Sequence, residues 1–197
     1  MIKYILPLGL VAVFFSGCIS VTKELPPFTT YTLQIEQSDK KDQKSLNKSI
    51  SIVEPKSLKS INNILVTYGD NELRSESYAL SKWSDKPTKM LQYVMVNYLS
   101  ETKNFNFVHS NKMNLPSDIK ILSELDSFTQ YLDGDEAFVK FSIRVFLIEN
   151  NTLSTKKFTY TKKCVVQSAK GSVKALNSVV NSFLKDLNSW IIDSSSN

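Results

Sequence analysis

The chain is poor in the residue types from which most enzyme sites are built. Its 197 residues include one histidine, two cysteines and five glycines. A single histidine, His109, gives little support to a Ser/His/Asp triad or a Cys/His dyad, and no nucleophile-elbow motif surrounds any serine. We expect His109 at the surface or at the end of a strand. The composition therefore favours a binding or assembly protein over an enzyme.

Loops that hold phosphate and clusters that hold metal are missing from the sequence pattern as well. After residue 17 the glycines are Gly69, Gly134 and Gly171, and each stands alone, so no glycine-rich loop can cradle a phosphate. No group of Cys, His and carboxylate residues has the spacing of a metal site. The acidic segment Asp133–Glu136 does not match the spacing of a calcium loop. The sequence predicts neither a cofactor nor a metal.

The N-terminal segment has the layout of an export signal. Lys3 charges the tip, and residues 4–15 are almost wholly apolar. This run of about a dozen residues is too short for a bilayer, which requires roughly 20. A basic tip, a short apolar core and then small residues are typical of a signal peptide that is removed. We therefore assign residues 1–17 to a signal peptide.

Ser16, Gly17 and Cys18 close this segment and resemble the lipobox of bacterial lipoproteins. The resemblance implies cleavage between Gly17 and Cys18, a diacylglyceryl group on the Cys18 sulfur and a fatty acid such as palmitate on the new amine. Three acyl chains would hold the protein on a membrane, since two already anchor stably. Ile19 in place of aspartate favours the outer membrane. An ordinary secretory signal and an uncleaved anchor are the alternatives.

The second cysteine and the net charge carry less information. If Cys18 is acylated, Cys164 has no partner, so a disulfide scaffold is excluded. Its apolar surroundings favour core packing over a reactive thiol. The net charge is +5, and the charges are spread along the chain without a basic cluster that includes aromatic residues. Binding to nucleic acid is therefore not supported.

Alternating apolar residues predict strands along most of the chain. The clearest example is 136–150, in which every second residue from Ala137 to Leu147 is apolar and Asn150-Asn151 can form the following turn. Together with the return strand 153–166 it predicts a long antiparallel hairpin. The predicted strands are 31–37, 49–55, 63–70, 72–80, 104–110, 118–132, 136–150 and 153–166.

Two segments have helical periodicity. The first is introduced by Ser84 and Asp85 as caps and Pro87 in the first turn, and an apolar stripe follows from Met90 to Leu99. Lys89, Gln92, Asn97 and Glu101 are expected away from this stripe. The second helix is expected to start at Gly171-Ser172 and to end before a disordered tail at 193–197. The order of elements predicts an α+β fold, with a mostly antiparallel sheet covered on one face by two helices.

A family resemblance emerges from several stretches of the chain. "YTL" (31–33) follows a proline-bearing tether, "SISIVEPKSL" spans 49–58, and 64–91 reads as a hairpin that leads through Tyr78 and Trp83 to Pro87 at a helix start. In this order the stretches resemble the auxiliary lipoproteins of ABC-type lipid transport systems, the PqiC/YmbA-like family. The chain would then divide into a lipidated tether (18–30) and one domain (31–192).

The resemblance implies a role without catalysis beside an ABC permease, its ATPase and an MCE-domain protein, which move lipid between the inner and outer membranes. The protein would stand on the periplasmic face of the outer membrane. Trp83 and Tyr78 are candidates for contact with a partner, although a tryptophan between a strand and a helix usually closes a core edge. The alternative is a pilotin-like assembly lipoprotein of another outer-membrane machine. Homo-oligomer formation is left open.

Overall fold

The computed structural model describes residues 26–36, 45–70 and 75–195. Within these ranges the chain forms nine strands, two α-helices and one short 3-10 turn. Their bounds are β1 Thr29–Tyr31, β2 Leu46–Ile52, β3 Lys56–Ser57, β4 Leu65–Asp70, β5 Glu76–Trp83, α1 Pro87–Glu101, β6 Phe105–Ser110, the 3-10 turn Asn111–Met113, β7 Ile119–Asp133, β8 Glu136–Glu149, β9 Thr152–Lys163 and α2 Ala169–Ser195.

The long strand β7 organises the sheet. Along one edge it pairs in succession with β2, β3 and β4, and all three run parallel to it. Along its other edge it pairs with β8, which is antiparallel and pairs in turn with β9. The sheet continues from β4 through β5 to β1, and from β2 to β6. The result is one large curled sheet.

The prediction of a mostly antiparallel sheet is wrong, because the sheet is mixed. Within the described ranges, five of the eight strand pairings are parallel: β1–β5, β2–β6, β2–β7, β3–β7 and β4–β7. Each of these pairings joins strands that are distant in the sequence. Only the connections β4–β5, β7–β8 and β8–β9 make antiparallel pairs of neighbouring strands. The α+β class itself is confirmed.

The hairpin of β8 and β9 is confirmed. Asn150 and Asn151 have φ angles of 48° and 62°, the left-handed conformation that a tight two-residue turn requires. Every second side chain of β8 from Ala137 to Leu147 is buried, while Arg144 on the opposite face is exposed. β9 ends at Lys163, three residues before the predicted end at Val166.

Both helices differ from their predicted ends. Lys86, not Ser84 or Asp85, occupies the N-cap of α1 and makes no side-chain capping bond, while Pro87 begins the helix as expected. α2 begins at Ala169, two residues before Gly171, because the Ser168 hydroxyl accepts a hydrogen bond from the Gly171 amide. The helix continues to Ser195, three residues into the segment predicted as a tail.

The first predicted strand, 31–37, ends early. β1 stops at Tyr31, and the next residues lie along α2 instead of extending the sheet. Asn181 of α2 accepts a hydrogen bond from the Glu36 amide at 2.8 Å and donates one to the Gln34 carbonyl at 2.9 Å. Asn177 accepts a bond from the Gln34 amide. Side chains of α2 therefore form the hydrogen bonds with this backbone that a neighbouring strand would otherwise form.

One apolar cluster forms the core between the sheet and the helices. α1 packs on β6 and β2, α2 packs on β7, β8 and β9, and the two helices touch each other. The apolar stripe of α1 is buried as predicted, and so is Gln92, which was expected away from it. Its amide nitrogen donates to the Ile52 carbonyl at 2.8 Å and to the Asn111 side-chain oxygen at 3.1 Å. These bonds make the burial of a polar side chain tolerable.

Candidate functional site

Two of the residues singled out from the sequence, Gly17 and Cys18, lie outside the described residues. Their assignment as cleavage and lipid-attachment sites stays a prediction. Among the described residues, no helix is long and apolar enough to cross a bilayer.

Trp83 lies at the end of β5 and is almost fully buried. Its ring packs against Phe128 with 5.2 Å between the ring centroids, and its backbone amide donates to the Ile64 carbonyl at 2.7 Å. This environment is that of a residue closing a core edge. Contact between Trp83 and a partner stays a prediction.

Tyr78 is partly buried and belongs to a polar group at the edge of the core. Its hydroxyl donates to the Gln130 side-chain oxygen at 2.6 Å, and the Gln130 nitrogen lies 3.5 Å from the Cys164 sulfur. Burial, together with the neighbouring Tyr68 and Cys164, raises the pKa of Tyr78. Burial also raises the pKa of the Cys164 thiol, although the Gln130 bond opposes it. The core-packing interpretation of Cys164 fits this arrangement, because a buried thiol with a raised pKa is a poor nucleophile.

His109 lies at the end of a strand, as predicted, but not at the surface. It is the penultimate residue of β6 and is only 1 % exposed. Its ring stacks on Phe107 at 5.4 Å, and its Nδ1 lies 3.0 Å from the Ser110 carbonyl oxygen. The other ring nitrogen, Nε2, has no hydrogen-bond partner within the described part of the chain. A buried polar atom without a partner is uncommon in folded proteins.

His109 also lines a surface groove with a volume of about 690 Å³. The groove runs between α1 and β6, and its apolar lining includes side chains that are exposed despite their size. Lys89 and Lys112 lie at its rim and already pair with Asp85 at 3.3 Å and Glu54 at 3.1 Å. The exposed apolar side chains of the lining are Tyr93, Phe107 and Met113.

The β6 side of this groove is a strand edge. Within the described ranges β6 pairs with β2 alone, so its other edge is free. Its sequence, FNFVHS, contains no charged residue and no proline. The other long free edge, β9, carries four lysines, and β1 is only three residues long. Lysines and shortness are devices that protect free edges, and β6 has neither.

Sequence reasoning did not find this groove. The apolar stripe of α1 faces the core, and the groove forms on its flank where the helix meets β6. Tyr93 was the available signal: an aromatic residue outside the stripe of a surface helix is exposed and indicates a contact surface. Phe107 gave no such signal, since a phenylalanine in a strand usually indicates a residue buried in the core.

The fold and this groove define a class of protein: an α+β domain on a curled mixed sheet, with an apolar surface between a helix and an unprotected edge strand. Residues 31–188 match the family of the ABC-type transport auxiliary lipoprotein component. The match covers most of the chain, and the protein belongs to this family. The resemblance inferred from the sequence is thereby confirmed.

Solved structures share the fold. Protein XCC0632 from Xanthomonas campestris has a TM-score of 0.78 at 13% identity, with 85% of this chain and 97% of that chain covered. An uncharacterized protein has a TM-score of 0.69 at 16% identity, with 84% and 99% covered. The hypothetical protein CT253 from Chlamydia trachomatis has a TM-score of 0.52 at 7% identity, with 77% and 100% covered. No curated protein matches the chain.

Proposed function

We propose that the protein is a lipid-anchored accessory component of an ABC/MCE-type system that moves lipid between the inner and outer membranes. Membership of the transport auxiliary lipoprotein family over residues 31–188 carries this proposal. The lipobox-like Ser16-Gly17-Cys18 supports it, because such a component must be held at a membrane to act beside its transporter. The protein itself supplies docking, and the permease and ATPase supply transport.

In this proposal the acylated Cys18 holds the domain on the periplasmic face of the outer membrane. The domain then receives the periplasmic part of the MCE-domain protein. The groove between α1 and β6 is the candidate contact, since it combines exposed aromatic and methionine side chains with a free strand edge. Aromatic residues and methionine are enriched at protein interfaces, and a free edge can accept a strand from a partner.

The anchor is tested by the chemistry of the N-terminus. We expect the protein extracted from cell membranes to begin at Cys18 and to carry three acyl chains, and the Cys18→Ser variant to carry none. Mass spectrometry of the N-terminal peptide measures both. The expected consequence is loss of the variant from the outer-membrane fraction, because no acyl chain remains to hold it. A free Cys18 thiol, or a leader still attached to the wild-type protein, would contradict the anchor.

Docking is tested with a pair of matched variants. Phe107→Lys places a charge on the β6 edge, where the side chain is 48 % exposed, and Leu153→Lys does the same on β9, where it is 61 % exposed. We expect Phe107→Lys to weaken binding of the MCE protein's periplasmic part about tenfold, since loss of an interface anchor typically costs more than about 1 kcal/mol. Leu153→Lys should bind as the wild type does.

Surface plasmon resonance with the immobilised periplasmic part measures both affinities, and thermal unfolding of each variant confirms that the fold is retained. Equal binding by the two variants would remove the groove from the contact. No binding by the wild-type protein, together with an intact outer-membrane barrier in a deletion strain, would overturn the proposed function itself.

A further inference from the structure

Two valines protrude from the loop between β9 and α2. Val165 is 99 % exposed and Val166 is 59 % exposed, so neither contributes fully to the core. The loop is nevertheless held in place. The Cys164 amide donates to the Ala137 carbonyl at 2.7 Å, and the Ser168 amide donates to the Val166 carbonyl at 2.9 Å. The two apolar side chains are therefore presented to solvent by a fixed backbone.

Lysines surround the valines. Lys162 and Lys163 precede the loop, and Lys170 and Lys174 lie one turn apart at the start of α2, around a hollow of about 520 Å³. Lys163 pairs with Glu136, and Lys162 donates to the Ser178 hydroxyl at 2.6 Å. Lys170 and Lys174 are exposed and form no ion pair within the ranges that the structure describes. We call Lys162, Lys163, Val165, Val166, Lys170 and Lys174 the valine patch.

Carboxylates of the β7–β8 turn lie near this patch and reduce its charge. Ala137, whose carbonyl accepts a hydrogen bond from the Cys164 amide, lies close to that turn, and Asp133, Asp135 and Glu136 lie in the turn or directly beside it. Set against the four lysines, these three acids leave a small positive excess. The attraction of the patch for an anionic surface is therefore modest, and the two valines must supply much of any binding.

The N-terminal segment runs towards the end of the sheet that carries the valine patch. β1 is parallel to β5 and pairs with its last three residues, so the chain before Thr29 is directed towards the end where β5 begins and β4 finishes. There Asp70 of β4 lies opposite Leu132 of β7, close to the β7–β8 turn. β9 finishes at the same end, because its Lys163 pairs with Phe138 near the start of β8.

Chain length then places this end close to the anchor. Seven residues lie between Cys18 and Pro26, the first described residue, and the eight steps of a fully extended chain cover at most about 3.6 Å each, or about 29 Å in all. With Cys18 acylated, as proposed above, Pro26 lies within about 29 Å of the bilayer, so the end of the sheet that carries the valine patch can reach the membrane. An apolar tip with lysines around it matches the interface of a membrane that contains anionic lipid.

We propose that the valine patch is a second membrane contact, in which Val165 and Val166 insert among the acyl chains and the lysines meet the headgroups of anionic phospholipids. This contact rests on the proposed anchor, and it sets the orientation of the domain on the membrane. The groove lies beside β6, which is joined through β2 to the first part of β7. The patch follows β9, whose last residue pairs with Phe138 of β8, opposite the last part of β7. The contact therefore turns the groove away from the membrane and towards a periplasmic partner.

The test uses a fluorescent label that reports an apolar environment. Val165→Cys is labelled with a nitrobenzoxadiazole dye in a Cys164→Ala background, and the acylated protein is reconstituted into vesicles of phosphatidylethanolamine and phosphatidylglycerol. Leu153→Cys is the matched control, because it is an exposed apolar residue at the other end of β9. Quenching by phospholipids that carry a doxyl group in the acyl chain measures insertion.

We expect a blue-shifted and strongly quenched label at position 165 and an unshifted, unquenched label at position 153. Lys170→Glu with Lys174→Glu should weaken insertion about fivefold for each lysine. A label at position 165 that stays in water, or equal quenching at both positions, would overturn the second contact. The Cys164→Ala protein without an added cysteine tests the anchor separately: it should take up no dye, and any labelling would report a free Cys18.

Discussion

Replacing Phe141 by alanine is expected to lower the free energy of unfolding by about 3–5 kcal/mol, the usual cost of removing a phenylalanine from a core. Phe141 is fully buried at the centre of β8. Its ring centroid lies 6.3 Å from that of Phe128 on β7, 6.2 Å from that of Tyr160 on β9 and 5.2 Å from that of Phe183 on α2. One side chain thus joins three elements, and its loss leaves a cavity that they cannot all close.

Phe138→Ala is the matched control, since it removes the same side chain from the same strand on the opposite face of the sheet. Phe138 stacks on Tyr131 at 5.4 Å but is only partly buried. We expect this variant to lose clearly less free energy of unfolding than Phe141→Ala. Urea unfolding followed by tryptophan fluorescence measures both free energies. Equal losses from the two variants would show that the helices do not cover the face on which Phe141 lies.

The local parts of the fold could be predicted from the sequence because they depend on neighbouring residues. Alternation from Ala137 to Leu147 identifies both β8 and its buried face, and Asn150-Asn151 fixes the turn into β9. The parallel pairing of β2, β3 and β4 with β7 could not be predicted in this way. These partners lie far apart in the chain, and nothing in the strand pattern specifies which distant edge each will meet.

The same distinction applies to the candidate sites. The motif at Cys18 is local and can be recognised from adjacent residues. The burial of His109 depends on α1 and on Phe107, and the exposure of Val165 depends on where β9 stops. An apolar residue after a strand predicts more strand or core, so the sequence alone assigned both valines to β9. Only the end of the pairing at Lys163 reveals that they are presented to solvent.

The second large effect is expected at Gly171. Alanine is the better helix former by about 1 kcal/mol, so propensity alone predicts that Gly171→Ala stabilises α2. We expect the opposite, a loss of about 1–3 kcal/mol, which is typical of overpacking. A Cβ atom on residue 171 would fall well inside van der Waals contact with the Val166 carbonyl oxygen, which is backbone and cannot rotate away. Urea unfolding measures the sign of this change in the free energy of unfolding. Lys174→Ala, which changes an exposed residue of the same helix, should have a free energy of unfolding within about 0.5 kcal/mol of the wild type.

This clash ties the stability of α2 to the valine patch. The Val166 carbonyl accepts a hydrogen bond from the Ser168 amide, and the Ser168 hydroxyl caps the helix by accepting one from the Gly171 amide. A new methyl group can be accommodated only if this loop moves, and the movement displaces Val165 and Val166 with it. Gly171→Ala should therefore lower the free energy of unfolding and also reduce the quenching of a dye at position 165. Unchanged stability in this variant would mean that the loop moves freely, and the valines would then lose the fixed presentation on which their insertion depends.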